Sequence, residues 1–483
     1  MNPYNVLPLF RQGVFHGKNA NIHLFCVGRR YISMTKDMTQ GSPLKLLLAF
    51  AVPLMLGSLF QQFYNLADTI IVGRFVGVEA LAAVGSVGGL NYLVLGFVNG
   101  IACGFSIPIS WTFGAHDHHE MRRYTANTVW LSIAFATVLT IVTVAMTHLV
   151  LVWTNTPADI IDLADIYIRT IFAGIPFTLL YNVTSALMRA LGDSKRPLYF
   201  LLVASVLNIG LDPLLIFVFD LGVAGAAWAT ILSQGVSALL CLVYMLKKFP
   251  ILRTGRADWA WHGPMVRRLA RMGIPTALSN SVTAIGCMIL QVTINGFGST
   301  VVAGSSASAN LEGFVYTAMN AFAQAAVTFT SQNMGARRYD NLDRVMRNCL
   351  LCSIVTGLVL GGGASLLGEQ LLHFYSSDEV VVTAGLARMH IICTTYLLCG
   401  GMDVLASCLR GRGYSVLPMV VSLVGSCLLR LVWIATIFQL FHTTTMLYLS
   451  YPVSWILTTL VHLACLLVVR HKMNEDLKAA AQR

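Results

Sequence analysis

A short pattern of residues in the middle of the chain returns near its C-terminal end. Arg189-Ala-Leu-Gly-Asp-Ser-Lys-Arg-Pro197 and Arg410-Gly-Arg-Gly-Tyr-Ser-Val-Leu-Pro418 share Arg, Gly, Ser and Pro in register, 221 positions apart. Pro53, which interrupts an apolar run, returns 222 positions later as Pro275. A unit of roughly 220 residues has therefore been duplicated, and the fold must contain the same series of elements twice.

The repeats lie in a chain of 483 residues that is 56% hydrophobic and only 11% charged. A soluble domain carries about 25% charged residues, and a soluble fold could not cover this much apolar surface. Apolar runs of about 20 residues recur along the chain, and each can cross the roughly 30 Å hydrocarbon layer of a membrane. Because the chain lacks the short alternating strands of a barrel, the sequence predicts an all-α membrane protein.

We predict about twelve transmembrane helices, six in each repeat. An even number of spans returns the chain to its starting side, so both repeats insert in the same orientation, with a cleft between them. The approximate centres of spans 1 to 12 are Leu59, Phe97, Val138, Phe177, Ile209, Gly235, Ile285, Phe314, Val359, Tyr396, Leu428 and Trp455.

The spans divide the chain into five parts. We assign 1–40 to an N-terminal extension, 41–248 to an N-lobe (spans 1–6), 249–269 to a cytoplasmic interfacial linker, 270–471 to a C-lobe (spans 7–12), and 472–483 to a cytoplasmic tail. The extension shows neither a span nor a signal-peptide pattern. We expect residues 1–33 to be a floppy tail or the product of a mis-called start upstream of Met34.

The net charge of +11 reflects the orientation of the chain in the membrane and does not indicate a nucleic-acid partner. Cations concentrate in the loops after even-numbered spans, whereas the other loops are mostly acidic. By the positive-inside rule, both termini are cytoplasmic. The cations of the even-numbered loops include Arg122, Arg123, Lys195, Arg196, Lys247, Lys248, Arg267, Arg268, Arg337, Arg338 and Arg412.

Placing a polar residue inside an apolar span costs free energy, so each such residue is a candidate for a structural or functional role. Span 1 contains Tyr64 and Asp68, and span 5 contains Asn208 and Asp212, which share one helix face. A carboxylate in lipid without a cationic partner either holds a proton or binds a cation. The two acids and Asn208 therefore predict a site for H⁺ or Na⁺. The alternative is that both acids cap helix ends at the outer interface.

The C-terminal repeat does not keep these two acids. Its Asp403 lies in the middle of span 10, opposite Asn182 of the first repeat. Asp403 is either a second acid of the site or a structural partner of Arg410 or Arg430. Pro53 and Pro275 bend their helices, and the sequence leaves open whether each is a static kink or a moving hinge.

Four motifs occur in order along the chain: Gln61-Gln-Phe-Tyr-Asn-Leu-Ala-Asp68-Thr, Ala80-Leu-Ala-Ala-Val-Gly85, Asn208-Ile-Gly-Leu-Asp212-Pro and Leu409-Arg-Gly-Arg-Gly-Tyr-Ser415. Together they resemble the multidrug and toxic compound extrusion (MATE) family over about residues 41–470. The Asn-xxx-Asp pair of span 5, together with the acid of span 1, resembles the DinF-like bacterial branch, and the Glu that the NorM-type branch carries in span 7 is absent.

The resemblance implies a V-shaped pair of helical lobes in a bacterial inner membrane. It implies export of cationic or amphipathic compounds in exchange for H⁺ or Na⁺. It assigns Asp68, Asn208 and Asp212 to the ion site of the N-lobe, with Asn182 and Tyr64 lining the same cavity. We expect a monomer that is not an enzyme and has no cofactor or resident metal, only a coupling ion. Its partners would be small molecules and the lipid bilayer.

Two alternatives belong to other functional classes. A flippase of lipid-linked oligosaccharide, or of another lipid-like substrate, comes from related families with similar helices. The small number of cations within the spans, which a lipid phosphate would need, argues against it. A membrane-embedded enzyme would need a dense cluster of acids or histidines at one interface, and the sequence shows none.

Overall fold

The computed structural model describes residues 36–154 and 156–481, without the side chains of 66–70, 73–75, 78, 81, 283 and 480–481. This part of the chain is almost entirely helical and contains no β-strand. Ten of its helices are long and apolar enough to cross a membrane. The count rises to eleven if the helices Ile161–Ala173 and Ile175–Ala190, bent by 43°, form one span. The predicted all-α membrane fold is confirmed, while the expectations for residues 1–33 lie outside the described residues.

Each of the twelve predicted span centres lies in one of twelve helical segments. Ser299–Gly335, at 37 residues, is long enough to cross a membrane but is too polar to be counted among the ten. In order the spans are Pro43–Phe75, Gly88–Gly114, His118–Trp153, the bent pair, Lys195–Val218, Gly222–Lys248, Gly263–Asn295, Ser299–Gly335, Tyr339–Leu366, Glu379–Gly411, Val416–Leu440 and Thr444–Ala481.

Short elements connect the spans. The helix Val78–Ser86 joins spans 1 and 2, and Gly368–His373 follows span 9. The linker between the repeats contains the 3₁₀ turns Pro250–Leu252 and Arg256–Trp259. It packs on the start of span 3, where the indole N–H of Trp130 donates to the carbonyl of Trp259 at 3.2 Å.

Spans 2 and 8 cross at very close range near their C-terminal ends. A Cβ on Gly114 would lie 2.0 Å from the carbonyl oxygen of Gln332, and a Cβ on Gly335 would lie 1.9 Å from that of Trp111. Gly114 and Gly335 are 221 positions apart, as are Trp111 and Gln332. The two contacts are therefore equivalent, and the axis that relates the repeats passes between these spans.

Span 2 also packs closely on the N-terminal half of span 7. A Cβ on Gly100 would lie 2.4 Å from Cα of Ala277, and one on Gly104 would lie 2.5 Å from Cα of Gly273. Ala277 accordingly belongs to the hydrophobic core of the N-lobe. The N-terminal half of span 7 thus packs across the boundary that chain order draws between the lobes.

The N-terminal half of span 1 makes the reciprocal crossing. Its Phe50 and Leu54 belong to the core that contains Ala321 and Ala325 of span 8, and the ring of Phe50 meets that of Phe329 edge-on at 5.7 Å. The first span of each repeat therefore begins against the opposite lobe. The domain boundaries drawn from chain order stay a prediction, and these two half-spans pack with the other repeat.

Hydrogen bonds join the two repeats at the base, which we define as the end of the bundle where spans 1 and 7 begin. The side chain of Gln332 accepts from the backbone N–H of Met38 at 2.9 Å and donates to the carbonyl of Ala190 at 2.8 Å. The indole N–H of Trp111 donates to the carbonyl of Gly411 at 2.8 Å. The base is therefore closed by polar contacts between the lobes.

The close crossing predicts that span 8 tolerates no side chain at Gly335. We expect Gly335→Ala to force spans 2 and 8 apart and to lower the free energy of unfolding by about 1–3 kcal/mol. The measurement is the midpoint of thermal unfolding of the purified protein in detergent.

Gly362 of span 9 provides the matched control, because no atom lies within 4 Å of the Cβ position there. Gly362→Ala should be neutral or should stabilise the helix by about 0.5–1 kcal/mol. Equal midpoints for the two alanine variants would contradict the close crossing.

Candidate ion and substrate site

Three spans of the N-lobe meet at the hydroxyl of Thr230. The hydroxyl of Tyr64, from span 1, lies 3.3 Å from Thr230 Oγ1. The side-chain amide of Asn208, from span 5, donates to the same oxygen at 3.5 Å. Thr230 itself donates to the carbonyl of Ala226, one turn earlier in span 6. Two residues chosen from the sequence, Tyr64 and Asn208, are thus brought together by a residue that the sequence reasoning missed.

Asn208 and Asp212 lie deep inside the N-lobe. The side chain of Asn208 is 1% exposed and that of Asp212 is fully buried. The side-chain amide oxygen of Asn208, Oδ1, has no hydrogen-bond partner among the described residues. The α-helical part of span 5 ends at Pro213, directly after Asp212, and the span continues as a π-helical turn, Leu214–Val218. The burial of Asp212 argues against a position at an exposed helix end, and its role in the ion site stays a prediction.

Asp68 lies within the helix Pro43–Phe75, but its side chain lies outside the described residues. Spans 1 and 5 run side by side, since a Cβ on Gly57 would lie 3.0 Å from a methyl carbon of Leu198. Both spans begin at the base, and Asp68 follows Tyr64 by four residues, as Asp212 follows Asn208. Four residues of helix rise about 6 Å, so the two acids lie at a similar height along neighbouring helices.

For the other candidates chosen from the sequence, Asn182 and the two prolines, the predicted roles stay predictions. Asn182 donates to the carbonyl of Thr178 at 2.8 Å, one turn back in its own helix. Pro53 lies inside the continuous helix Pro43–Phe75, and Pro275 lies inside Gly263–Asn295. The role of these prolines as hinges stays a prediction.

Asp403 of span 10 is half-buried and has partners of its own. Tyr316 lies close to its carboxylate, and Arg410 is the cation whose charge acts on it. Asn320 and Gln324 extend this chain along span 8, because Asn320 donates to the hydroxyl of Tyr316 and Gln324 donates to Asn320. Of the two arginines considered for Asp403, Arg410 is thus the one whose charge acts on it.

The C-lobe contains a buried ion pair that the sequence analysis did not predict. Arg388 of span 10 binds both carboxylate oxygens of Glu312 of span 8, each at 2.8 Å. Ser305 accepts from Arg388 at 2.7 Å, and Ser308 donates to Glu312 at 3.1 Å. The sequence signal was the spacing of Ser305, Ser308 and Glu312, which places all three on one face of span 8. Each charge is compensated, so this pair ties spans 8 and 10 together.

The N-lobe cluster offers the chemistry of a proton or cation site. The oxygen atoms that could bind a cation are the hydroxyls of Tyr64 and Thr230, the side-chain amide oxygen of Asn208 and the carboxylate of Asp212. Hard cations take oxygen ligands of these kinds, and a buried carboxylate can instead hold a proton. Within the described part of the chain, no cluster of His, Cys, Asp and Glu could hold a metal ion.

Comparison with known proteins places both repeats in one family. The profile of the MatE family matches residues 53–214 and 275–436, one range in each repeat. The probable multidrug resistance protein YpnP of Bacillus subtilis is 31% identical over 405 residues, which cover 82% of this chain and 88% of YpnP. The probable multidrug resistance protein YoeA of the same organism is 28% identical over 397 residues, which cover 81% of this chain and 86% of YoeA.

A solved structure has the same fold. A MOP superfamily transporter from Pyrococcus furiosus superposes with a TM-score of 0.85 at 22% identity, over 92% of this chain and 99% of that one. The MatE match covers both repeats, and the Bacillus relatives align over most of their own length. The chain therefore belongs to the MatE family, the multidrug and toxic compound extrusion proteins that its motifs resemble.

Proposed function

We propose that this chain is a secondary active efflux transporter, which exports cationic or amphipathic compounds in exchange for H⁺ or Na⁺. It would work in a bacterial inner membrane with both termini in the cytoplasm. The names of its Bacillus relatives support multidrug export. The observation that carries the proposal is the polar cluster of Tyr64, Thr230 and the buried Asn208, one helical turn from the buried Asp212.

The burial of Asn208 and Asp212 argues for a functional role. A buried amide oxygen without a partner, such as Asn208 Oδ1, carries a cost in free energy that a folded protein normally avoids. A bound Na⁺, or a carboxylic acid proton on a neighbouring acid, would satisfy that oxygen. The cost is therefore explained if the site is filled during part of the transport cycle.

Competition for the same acids would couple the ion to the substrate. A bound H⁺ or Na⁺ adds one positive charge to the pair Asp68 and Asp212, so a cationic compound is then attracted less strongly to the N-lobe. Each ligand would favour a different arrangement of the two lobes, and this difference in affinity provides the coupling free energy. Opening the base would require the hydrogen bonds of Gln332 to break.

Neutralising either acid should uncouple transport. Asp68→Asn and Asp212→Asn each imitate the protonated carboxyl, so we expect normal membrane insertion but at least about tenfold slower gradient-driven export. The double variant should be little worse than either single variant, because the two acids act as one site. The measurement is efflux of ethidium from proteoliposomes under an imposed pH or Na⁺ gradient, which also identifies the coupling ion.

Asp162, in the first turn of span 4, provides a matched control for these variants. Asp162→Asn removes a carboxylate at the start of a helix, outside the cluster, and should leave the gradient dependence intact. Two outcomes would make Asp68 a structural residue. The Asp68→Asn protein could export normally, or it could lose export only because it fails to insert into the membrane.

Asp403 should matter less for coupling than the N-lobe acids, because Tyr316 and Arg410 already act on it. We expect Asp403→Asn to raise the KM for ethidium while the rate at saturation keeps its dependence on the ion gradient. The same proteoliposome assay measures both quantities. Complete loss of gradient-driven export in a normally inserted Asp403→Asn protein would contradict this assignment.

Thr230 provides a test of the cluster itself. Thr230→Val removes the hydroxyl that links Tyr64 and Asn208 but keeps the shape of the side chain, so we expect export to fall severalfold. Thr230→Ser keeps the hydroxyl and should restore export. If valine and serine behave alike in the proteoliposome assay, the hydroxyl has no part in transport.

A further inference from the structure

The segment directly before span 1, residues 36–39, crosses the base from one lobe to the other, and we call it the strap. At its first residue, the backbone N–H of Lys36 donates to the carbonyl of Leu191 at 3.1 Å, just after span 4 of the N-lobe. Two residues later, the N–H of Met38 donates to the side chain of Gln332 in span 8 at 2.9 Å. Within three residues the strap therefore bonds to both lobes.

Several side chains hold the C-lobe end of the strap. Arg338 donates to the carbonyl of Thr39 at 3.2 Å, and Asn341 reaches the same carbonyl at 3.4 Å. Asn333 reaches the carbonyl of Met38 at 3.4 Å. The side chain of Met38 is 4% exposed and belongs to the hydrophobic core that span 8 shares with the first half of span 1. Both polar and apolar contacts therefore fix this end.

The N-lobe end of the strap is held less firmly. Its backbone lies against Gly192, where a Cβ would lie 2.3 Å from the carbonyl oxygen of Lys36. A cavity of about 140 Å³ lies beside this contact and is lined by Lys36, Met38 and residues 192–196. Atoms that face a cavity lose packing contacts on that side. Separating the strap from the N-lobe should therefore cost less free energy than separating it from the C-lobe.

The equivalent segment before span 7 stays on one lobe. Ala260 stands 222 positions after Met38, and its carbonyl accepts from the side chain of Asn127 in span 3 at 3.4 Å. The N–H of His262 donates to the same side chain at 3.2 Å. These bonds tie the linker to the N-lobe, which it has just left, whereas the bonds of the strap go to opposite lobes. The repeat by itself therefore does not explain the strap.

We propose that the strap is a latch of the base. It stabilises the arrangement in which the base is closed, releases Leu191 and Gly192 when the base opens, and moves with the C-lobe. The first half of span 1 packs on the C-lobe as well, so the strap and this half-span move as one unit. Contacts made in only one of two arrangements shift the balance between them. This inference rests on the proposed efflux function, which requires the base to open in each cycle.

Two cross-links at opposite ends of the strap test the direction of release. Both are made in a variant whose eleven cysteines are replaced by serine, with a short bifunctional thiol reagent that dithiothreitol removes. Lys36→Cys with Lys195→Cys joins exposed positions across the cavity, and ethidium export should fall at least about tenfold until the cross-link is reduced. Gln40→Cys with Asn341→Cys ties the end of the strap to the C-lobe and should change export by less than about twofold.

Mass spectrometry verifies each cross-link in the membrane-inserted protein. Unchanged export with the strap cross-linked to the N-lobe overturns the inference, because the latch would then not need to open. Loss of export with both cross-links also overturns it, because the strap would then not move with the C-lobe. If Lys36→Cys and Lys195→Cys fail to cross-link, the position of the strap itself is wrong.

A pair of glycine variants tests the latch without transport. Gly192→Ala should push the strap away, because its Cβ would meet the carbonyl of Lys36. Gly298→Ala is the control, since φ is +93° at Gly298 and +86° at Gly192, but no atom lies within 4 Å of the Cβ position of Gly298. Double electron–electron resonance between nitroxide labels on Lys195→Cys and Arg344→Cys, both exposed at the base, measures its opening.

We expect the fraction of molecules with an open base to rise severalfold in Gly192→Ala and to stay at the wild-type level in Gly298→Ala. Equal fractions in the two variants contradict the latch. If Gly192→Ala fails to fold, Lys36→Pro replaces it, because proline removes the N–H that donates to Leu191.

The two experiments separate the latch from the proposed function. If opening of the base depends on the strap but the wild type exports no ethidium, the latch stands and the efflux proposal fails. If the wild type exports ethidium and the cross-link to the N-lobe does not slow it, efflux stands and the latch fails.

Discussion

The crossing of spans 2 and 8 is the contact on which the other packing depends. Gly114 and Gly335 bring the backbones so close that neither position has room for a side chain. This crossing fixes the axis between the repeats. It also leaves space for the N-terminal halves of spans 1 and 7 to pack against the opposite lobe, where Phe50 and Ala277 join the cores. In a membrane, such close helix contacts supply packing energy that apolar burial alone would not give.

The two lobes have the same helices but opposite buried charge in equivalent spans. Span 5 carries the acid Asp212 directly before its π-helical turn, and span 11 carries the cation Arg430 directly after its own turn. Duplication thus provided one scaffold, and substitutions within it gave equivalent spans different buried charges.

Much of the architecture could be predicted because lipid imposes strict rules on the sequence. The repeat, the apolar runs and the placement of Asp212 inside a span all follow from residue order and hydropathy. Glu312 and Arg388 were missed because the two residues are 76 positions apart in the chain. Thr230 was missed because a threonine in an apolar helix usually bonds to its own backbone, as this one also does.

The sequence by itself determined the helical membrane fold, the duplication and the family, because these depend on composition, period and motif order. Only the tertiary structure decided which polar residues meet. It joined Tyr64 to Asn208 through Thr230, kept Asn182 bonded to its own helix, and gave Asp403 and Arg430 different surroundings. The physical reason is that contacts between side chains of different helices depend on how each helix is rotated about its axis and on where the helices cross. Close glycine contacts and π-helical turns set both, and neither leaves a readable signal in hydropathy.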